Sequence, residues 1–278
     1  MRRLAQVLVA ATVLLGLSAP PPASADPEPR IVGGTEVKAN RYPWMVAIID
    51  AGRRTQFCGG SLVNSRWVVT AAHCLTGRRA DGVLVALGAN DWRQPVRLAA
   101  ASRLVSHPGY VDPKVNKASR LTSDIGMIEL AEEIPLNDRR IQTIALPQPG
   151  TGFASAVASG WGMTTYQGKA SVKLLEVPLL NQDLLCTRLY PLLRLTFDPR
   201  VQTCAAAPGK DVCKGDSGGP LMAAIAGRMY LVGTVSWGVV CGDQSRPAVY
   251  TKVSAFVDWI KGTARTGRWQ RDPGIPNP

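Results

Sequence analysis

Trp67-Val68-Val69-Thr70-Ala71-Ala72-His73-Cys74 is a short apolar run that closes on a histidine. An apolar run this brief, bounded by polar residues, suits a buried strand better than a helix. The same texture recurs along the chain. Trp44–Ile49, Ser61–Val63, Val83–Leu87, Ile125–Leu130, Ala154–Ser159 and Tyr230–Val235 are short apolar segments cut by Gly, Pro, Asn and Asp. This spacing points to an all-β sandwich or barrel, not to alternating βαβ units. Helical periodicity is clear only near the end, where Val253, Phe256, Val257 and Ile260 share one face. A second short helix is expected over Asn181–Leu189, with Asn181 as its cap.

The 278 residues suffice for a real core, and 46% apolar with 19% charged residues is ordinary for a folded protein. Global disorder is excluded. The net charge is +12, but the Lys and Arg are scattered in ones and twos. No aromatic-interleaved basic stripe appears, so nucleic acid is not an expected partner. His73 and His107 are the only histidines. A multi-histidine metal site is close to excluded, and a neutral-pH base has two obvious candidates.

Met1-Arg2-Arg3, the apolar Leu4–Leu17 and the small-x-small Ala23-Ser24-Ala25 form a secretory signal, so residues 1–25 are expected to be removed. The apolar stretch falls short of the roughly 20 residues of a membrane span. No later stretch is long enough, and no membrane association is expected. A secreted, extracellular chain meets oxidising surroundings. Its six Cys fit three disulfides, for which 15 pairings exist. Residues 262–278 read as a flexible tail, and no Asn-x-Ser/Thr sequon occurs.

Three short motifs carry chemistry. Thr70–Cys74 holds His73. Asp124-Ile125-Gly126-Met127-Ile128-Glu129-Leu130 sets an acid at the head of an apolar strand. Gly215-Asp216-Ser217-Gly218-Gly219-Pro220 is a glycine-rich loop around a serine. A serine hydroxyl is a poor nucleophile unless a base lies within hydrogen-bond reach. That base needs an acid to fix its tautomer. Taken singly, each motif is ordinary; His, Asp and Ser motifs together are not.

With these motifs stand Ile31-Val32-Gly33-Gly34, Cys58-Gly59-Gly60-Ser61-Leu62, Ser159-Gly160-Trp161-Gly162, Ser236-Trp237-Gly238 and Pro247-Ala248-Val249-Tyr250. From Ile31 to about Lys261 the chain resembles a trypsin-like serine protease of the chymotrypsin family. The resemblance implies two packed six-stranded antiparallel β-barrels with a short C-terminal helix. His73 becomes the general base, Asp124 its orienting acid and Ser217 the nucleophile. The N–H groups of Gly215 and Ser217 become the oxyanion hole, where a backbone free of side chains can present donors. His107 receives no catalytic role. The implied disulfides are Cys58–Cys74, Cys186–Cys204 and Cys213–Cys241. No cofactor and no metal are implied. Ala89 stands where calcium-binding members carry a Glu, so a familiar calcium site is not expected.

The resemblance also implies a precursor. Residues 26–30, Asp26-Pro27-Glu28-Pro29-Arg30, form an activation segment. Cleavage after Arg30 frees the α-amine of Ile31 to pair with Asp216 and order the oxyanion loop. Gln56 departs from the family's frequent His, which leaves the usual precursor contact there unsupported. Asp211, six residues before Ser217, falls at the base of the specificity pocket, with Val212, Ser236, Trp237, Gly238 and Ala248 as further substrate-binding residues. A buried carboxylate rewards a guanidinium through a bidentate bond. Expected partners are proteins or peptides with Arg or Lys at the scissile bond, and protein inhibitors of such enzymes. A monomer is expected. The alternative function is a catalytically inactive homologue acting as a binding protein.

Overall fold

The computed structural model describes residues 32–112, 122–136 and 139–269. The signal and activation segments, with Arg30 and Ile31, lie outside them. Strand β1 (Thr35–Glu36) is followed by β2 (Met45–Asp50), β3 (Thr55–Leu62), β4 (Trp67–Thr70), β5 (Val83–Leu87), β6 (Arg97–Ser106) and β7 (Gly126–Leu130). The last six close a barrel in the order β2-β3-β4-β7-β6-β5. Then come β8 (Ser155–Gly160), β9 (Leu175–Asn181), helix α1 (Asp183–Leu192), β10 (Gln202–Ala206), β11 (Pro220–Ile225), β12 (Arg228–Trp237) and β13 (Ala248–Lys252). β8 pairs with both β9 and β11, which closes a second six-stranded barrel, β9-β10-β13-β12-β11-β8, with β1 added beside β9. Every ladder between named strands is antiparallel. Closure removes open sheet edges, the weakness of a β fold.

Three apolar clusters explain the sequence texture. Val46, Ile48, Leu62, Val68, Val85 and Ile128 fill the first barrel. Ala158, Val177, Leu179, Leu221, Val232 and Tyr250 fill the second. Met45, Ala47, Trp67, Val69, Met127, Trp161, Met222 and Leu231 belong to a third cluster that takes residues from both barrels. Strands β2, β4 and β7 thus bury both faces, one inward and one against neighbours. Alternation is lost and they read as unbroken apolar runs.

Val253, Phe256, Val257 and Ile260 are all buried, as their periodicity requires. They span a 3-10 turn at Val253–Ala255 and helix α2 (Val257–Thr263). The other helix is shifted from its expected place. Asn181 remains in β9, and α1 runs from Asp183 to Leu192. Asn181 is not the cap residue, but its Oδ1 accepts the Asp183 N–H at 3.0 Å. The start of the tail is also anchored. Ser65 N–H donates to the Arg268 carbonyl at 2.9 Å, and Trp67 Nε1 donates to Thr266 Oγ1 at 2.9 Å. These bonds join single residues across long sequence separations and leave no period to read. Residues 270–278 lie outside the described residues.

The disulfides are Cys58–Cys74, Cys186–Cys204 and Cys213–Cys241, with Cα separations of 6.3, 6.7 and 5.1 Å. The first ties β3 to the turn that carries His73. The third joins the segment before Ser217 to the segment after β12.

Candidate active site

His73 sits on a 3-10 turn, Ala72–Cys74, directly after β4. Asp124 lies just before β7, the strand that pairs with β4. Adjacent strands therefore deliver both residues to one end of the first barrel. Asp124 is fully buried. Its Oδ2 lies 2.8 Å from His73 Nδ1, and its Oδ1 accepts the His73 backbone N–H at 2.9 Å. Gripping the ring and its own backbone together fixes the imidazole's plane and assigns the proton to Nδ1, leaving Nε2 to accept. Ser236 Oγ, from β12 of the second barrel, donates to Asp124 Oδ2 at 2.6 Å. Thr251 Oγ1, from β13, donates to the Asp124 carbonyl at 2.8 Å. These bonds meet the burial cost that an unpaired carboxylate would carry.

Ser217 precedes β11 on a tight turn. Gly219 N–H donates to the Asp216 carbonyl at 2.9 Å, and Asp216 N–H to the Cys213 carbonyl at 3.0 Å. The turn is pressed onto the histidine loop. A Cβ on Gly218, at φ +76°, would lie 2.1 Å from Thr70 Oγ1 and 3.0 Å from the Ala71 nitrogen. Only glycine fits there. Gly215 has φ +97°, and a Cβ on it would sit 3.0 Å from the Gly162 Cα. Among the described residues, neither the Gly215 nor the Ser217 N–H donates to a backbone carbonyl.

Ser217 opens on a cavity of about 180 Å³. Asp211, Val212, Ser236, Trp237, Gly238 and Ala248 all line it. The sequence-derived pocket residues are thus brought together beside the serine. Asp211 is only 3% exposed. Its carboxylate accepts the Val212 N–H at 2.8 Å and the Gly242 N–H at 3.0 Å. Burial still pushes its pKa up to about 7. Asp216 is completely buried and is likewise raised by burial, to about 6, although it accepts N–H bonds from Cys213 and Gly162.

Tyr166 and Lys214 also line the cavity, a role not read from the sequence. The Lys214 ammonium lies 5.5 Å from the Tyr166 ring centroid. Thr251 and the Ser236 hydroxyl were equally unmarked as partners of Asp124, because no local spacing signals a bond between distant strands. A larger cavity of about 440 Å³, lined in part by Ile144, Tyr230 and Trp269, includes none of the candidate residues. His107 stands apart from the site. Its ring meets Phe256 and Trp259 edge-on, each at 5.0 Å, and its Nδ1 accepts the Gly109 N–H. Cys58, Cys74 and His73 cluster closely, but both sulfurs are joined in a disulfide, so no thiolate is present to bind a metal.

Comparison with known proteins agrees with this architecture. The Trypsin family model matches residues 31–260. The chain belongs to the trypsin family. It is 33% identical to a trypsin of Phaedon cochleariae over 247 residues, covering 86% of this chain and 90% of that protein. It is 36% identical to trypsin epsilon of Drosophila erecta over 239 residues, covering 85% and 88%. The clotting factor G beta subunit of Tachypleus tridentatus is 35% identical over 254 residues, covering 84% and 79%. Trypsin-family membership makes the chain a serine protease by family and proteins its class of substrate.

Proposed function

We propose that the chain is a secreted endopeptidase, made as an inactive precursor, which cleaves after Arg and less readily after Lys. The observation that carries this reading is the buried Asp211 in one cavity with Ser217. His73 takes the Ser217 proton at Nε2 as Oγ attacks the scissile carbonyl. Asp124 steadies the imidazolium that forms. The N–H groups of Gly215 and Ser217 bind the oxyanion. His73 then returns the proton to the leaving amine, and an acyl-enzyme remains. Water, activated by His73, hydrolyses that ester and restores the serine.

Specificity follows from the cavity's chemistry. An ionised Asp211 meets a guanidinium with two parallel bonds. A lysine ammonium is shorter and needs a hydroxyl or a water to reach the acid. Val212 offers no hydroxyl, and the Ala248 methyl occupies the cavity wall. Loss of one polar contact to a charge lowers affinity by roughly 10–150-fold. We expect kcat/KM on matched peptides to favour Arg over Lys by at least the lower figure, and Val212→Ser to narrow the gap. Equal rates on Arg and Lys in the wild type count against the pocket.

The decisive test of the chemistry is a double-mutant comparison. Ser217→Ala and His73→Ala each remove nearly all hydrolysis, and the double variant is hardly worse, because both act in one step. Losses that multiply in the double variant would exclude a shared Ser–His step. Activity should fall on acidification, because a protonated His73 cannot accept the serine proton, and a flat rate from pH ~5 to ~8 would count against His73 as base.

A further inference from the structure

Strand β3 of the first barrel hydrogen-bonds directly to the oxyanion loop. That strand carries a bulge. Ile48 pairs with Cys58 and Ile49 with Gln56, which leaves Phe57 as the extra residue. A bulge re-aims the side chains beside it. The Phe57 ring lies 3.6 Å from the Arg78 guanidinium carbon. Gln56 reaches across to the second barrel, and its Nε2 donates to the Gly215 carbonyl at 2.8 Å. A carbonyl oxygen only accepts, so the amide must present its NH₂ group there. Further along β3, the Gly59 N–H donates to the Ser217 carbonyl at 2.8 Å.

These bonds act on successive peptide planes. Met163 N–H donates to the Lys214 carbonyl at 2.7 Å. That carbonyl shares a planar peptide with the Gly215 N–H, so Met163 fixes where the first oxyanion donor points. The next plane runs from Gly215 to Asp216, and Gln56 holds its carbonyl. Gly215 has φ +97° and no side chain, so its own backbone opposes rotation weakly. The Ser217 N–H lies on the plane after that, whose Asp216 carbonyl accepts the Gly219 N–H. The two donors therefore converge on one oxygen only if the Gly215–Asp216 plane between them is held.

We propose that Gln56 is a positioning residue for acyl transfer, holding the Gly215–Asp216 peptide so that the Gly215 and Ser217 N–H groups meet one oxyanion. The inference rests on the serine-peptidase reading above and deepens it. It assigns the Gly215–Asp216 peptide a side-chain anchor from the first barrel, opposite the Cys213 carbonyl that accepts the Asp216 N–H and beside the Gly59 bond to Ser217. Such an anchor strengthens binding of the tetrahedral state and leaves the Asp211 cavity unaltered.

The test uses the activated enzyme as wild type, Gln56→Glu and Gln56→Ala. Gln56→Glu keeps the shape and loses the donor. Gln56→Ala introduces no charge and carries the test should the Glu variant fail to fold. For each, kcat and KM are measured on an arginyl amide, with inhibition constants for benzamidine and for a peptidyl arginine aldehyde. Benzamidine fills only the cavity, whereas the aldehyde adds to the serine and places an oxyanion in the hole. We expect kcat to fall roughly tenfold, the scale of one lost hydrogen bond at a buried acceptor. The aldehyde should weaken by a similar factor, with KM and benzamidine affinity unchanged. Wild-type kcat in the folded variants, or equal weakening of both inhibitors, overturns the proposal. An active wild type with unaffected variants removes this inference alone. A wild type that hydrolyses nothing removes the serine-peptidase reading, and this inference with it.

Discussion

At the scale of single residues, Asp211 sets a pH dependence with a definite sign. Its pKa is raised from 3.8 to about 7 by burial. Between these values the folded chain binds the proton more tightly than the unfolded chain does. Stability therefore falls as pH rises from about 4 to about 7, and the full penalty of the buried charge persists above. A cationic ligand reverses the preference, because it binds only the ionised acid. Benzamidine affinity should thus rise roughly tenfold from pH 6 to pH 8 and then level off, with proton release near pH 6. Calorimetry across that range reads both effects. A flat profile in the wild type, or an unchanged one in Asp211→Asn, would show that Asp211 does not face the ligand. His73, Asp124 and Ser217 stand out as candidates in the sequence because each sits inside a distinctive local motif. Gln56 and Thr251 were not legible as partners of the site. Their contacts, to Gly215 and to Asp124, span more than a hundred residues of chain and are created only by folding.

At the scale of elements, legibility tracked how each strand buries its surface. β2 and β4 bury nearly every residue and read directly as apolar runs. β6 buries only Ala99 and Ala101 among ten residues, so its hydrophobic signal is faint. β10, Gln202-Thr203-Cys204-Ala205-Ala206, is entirely buried yet has no large apolar residue; a disulfide and two neighbouring strands hold it instead. Helix α1 begins later than expected because Asn181 is still paired with Ala205. Glycines separate local from tertiary constraint. Gly262 lies in α2 with open space around its Cβ position. Gly262→Ala should therefore stabilise the fold by about 0.5–1 kcal/mol. Gly218→Ala meets a positive φ and the Gly59 carbonyl 2.6 Å away. It should cost more than about 2 kcal/mol and remove activity. Thermal melts of the two variants should move in opposite directions. A Gly218→Ala enzyme with wild-type melting and rate would contradict the close fit between the serine turn and β3.

At the scale of the whole molecule, the segment before Ser217 gathers both the Gly160–Gly162 stretch and the residues after Ile31. The buried Asp216 carboxylate lies against Gly160 and Gly162; a Cβ on either would approach its Oδ1 to 2.2 and 2.7 Å. Nearby, the Asp211 N–H donates to the Val32 carbonyl at 3.2 Å, and a Cβ on Gly33 would lie 2.2 Å from the Gly209 carbonyl. The residues just after Ile31 are thus seated beside Asp211, within the same loop system as the serine. Cleavage after Arg30 would free an α-amine, with an ordinary pKa of about 7.7–8, to pair with Asp216. The pair should lower the pKa of Asp216 from about 6 and raise that of the amine. Its stabilisation is then lost on the acid side as Asp216 protonates, and on the alkaline side as pH rises through the raised pKa of the amine. Arg30→Gln should be secreted normally and remain inactive. Asp216→Asn should be cleaved at Arg30 yet hydrolyse poorly, since it keeps a neutral acceptor and loses the charge that draws the amine in. N-terminal sequencing of the active wild type should begin at Ile31. An active chain that still carries Asp26–Arg30 would sink this activation route and leave the Ser217 chemistry standing.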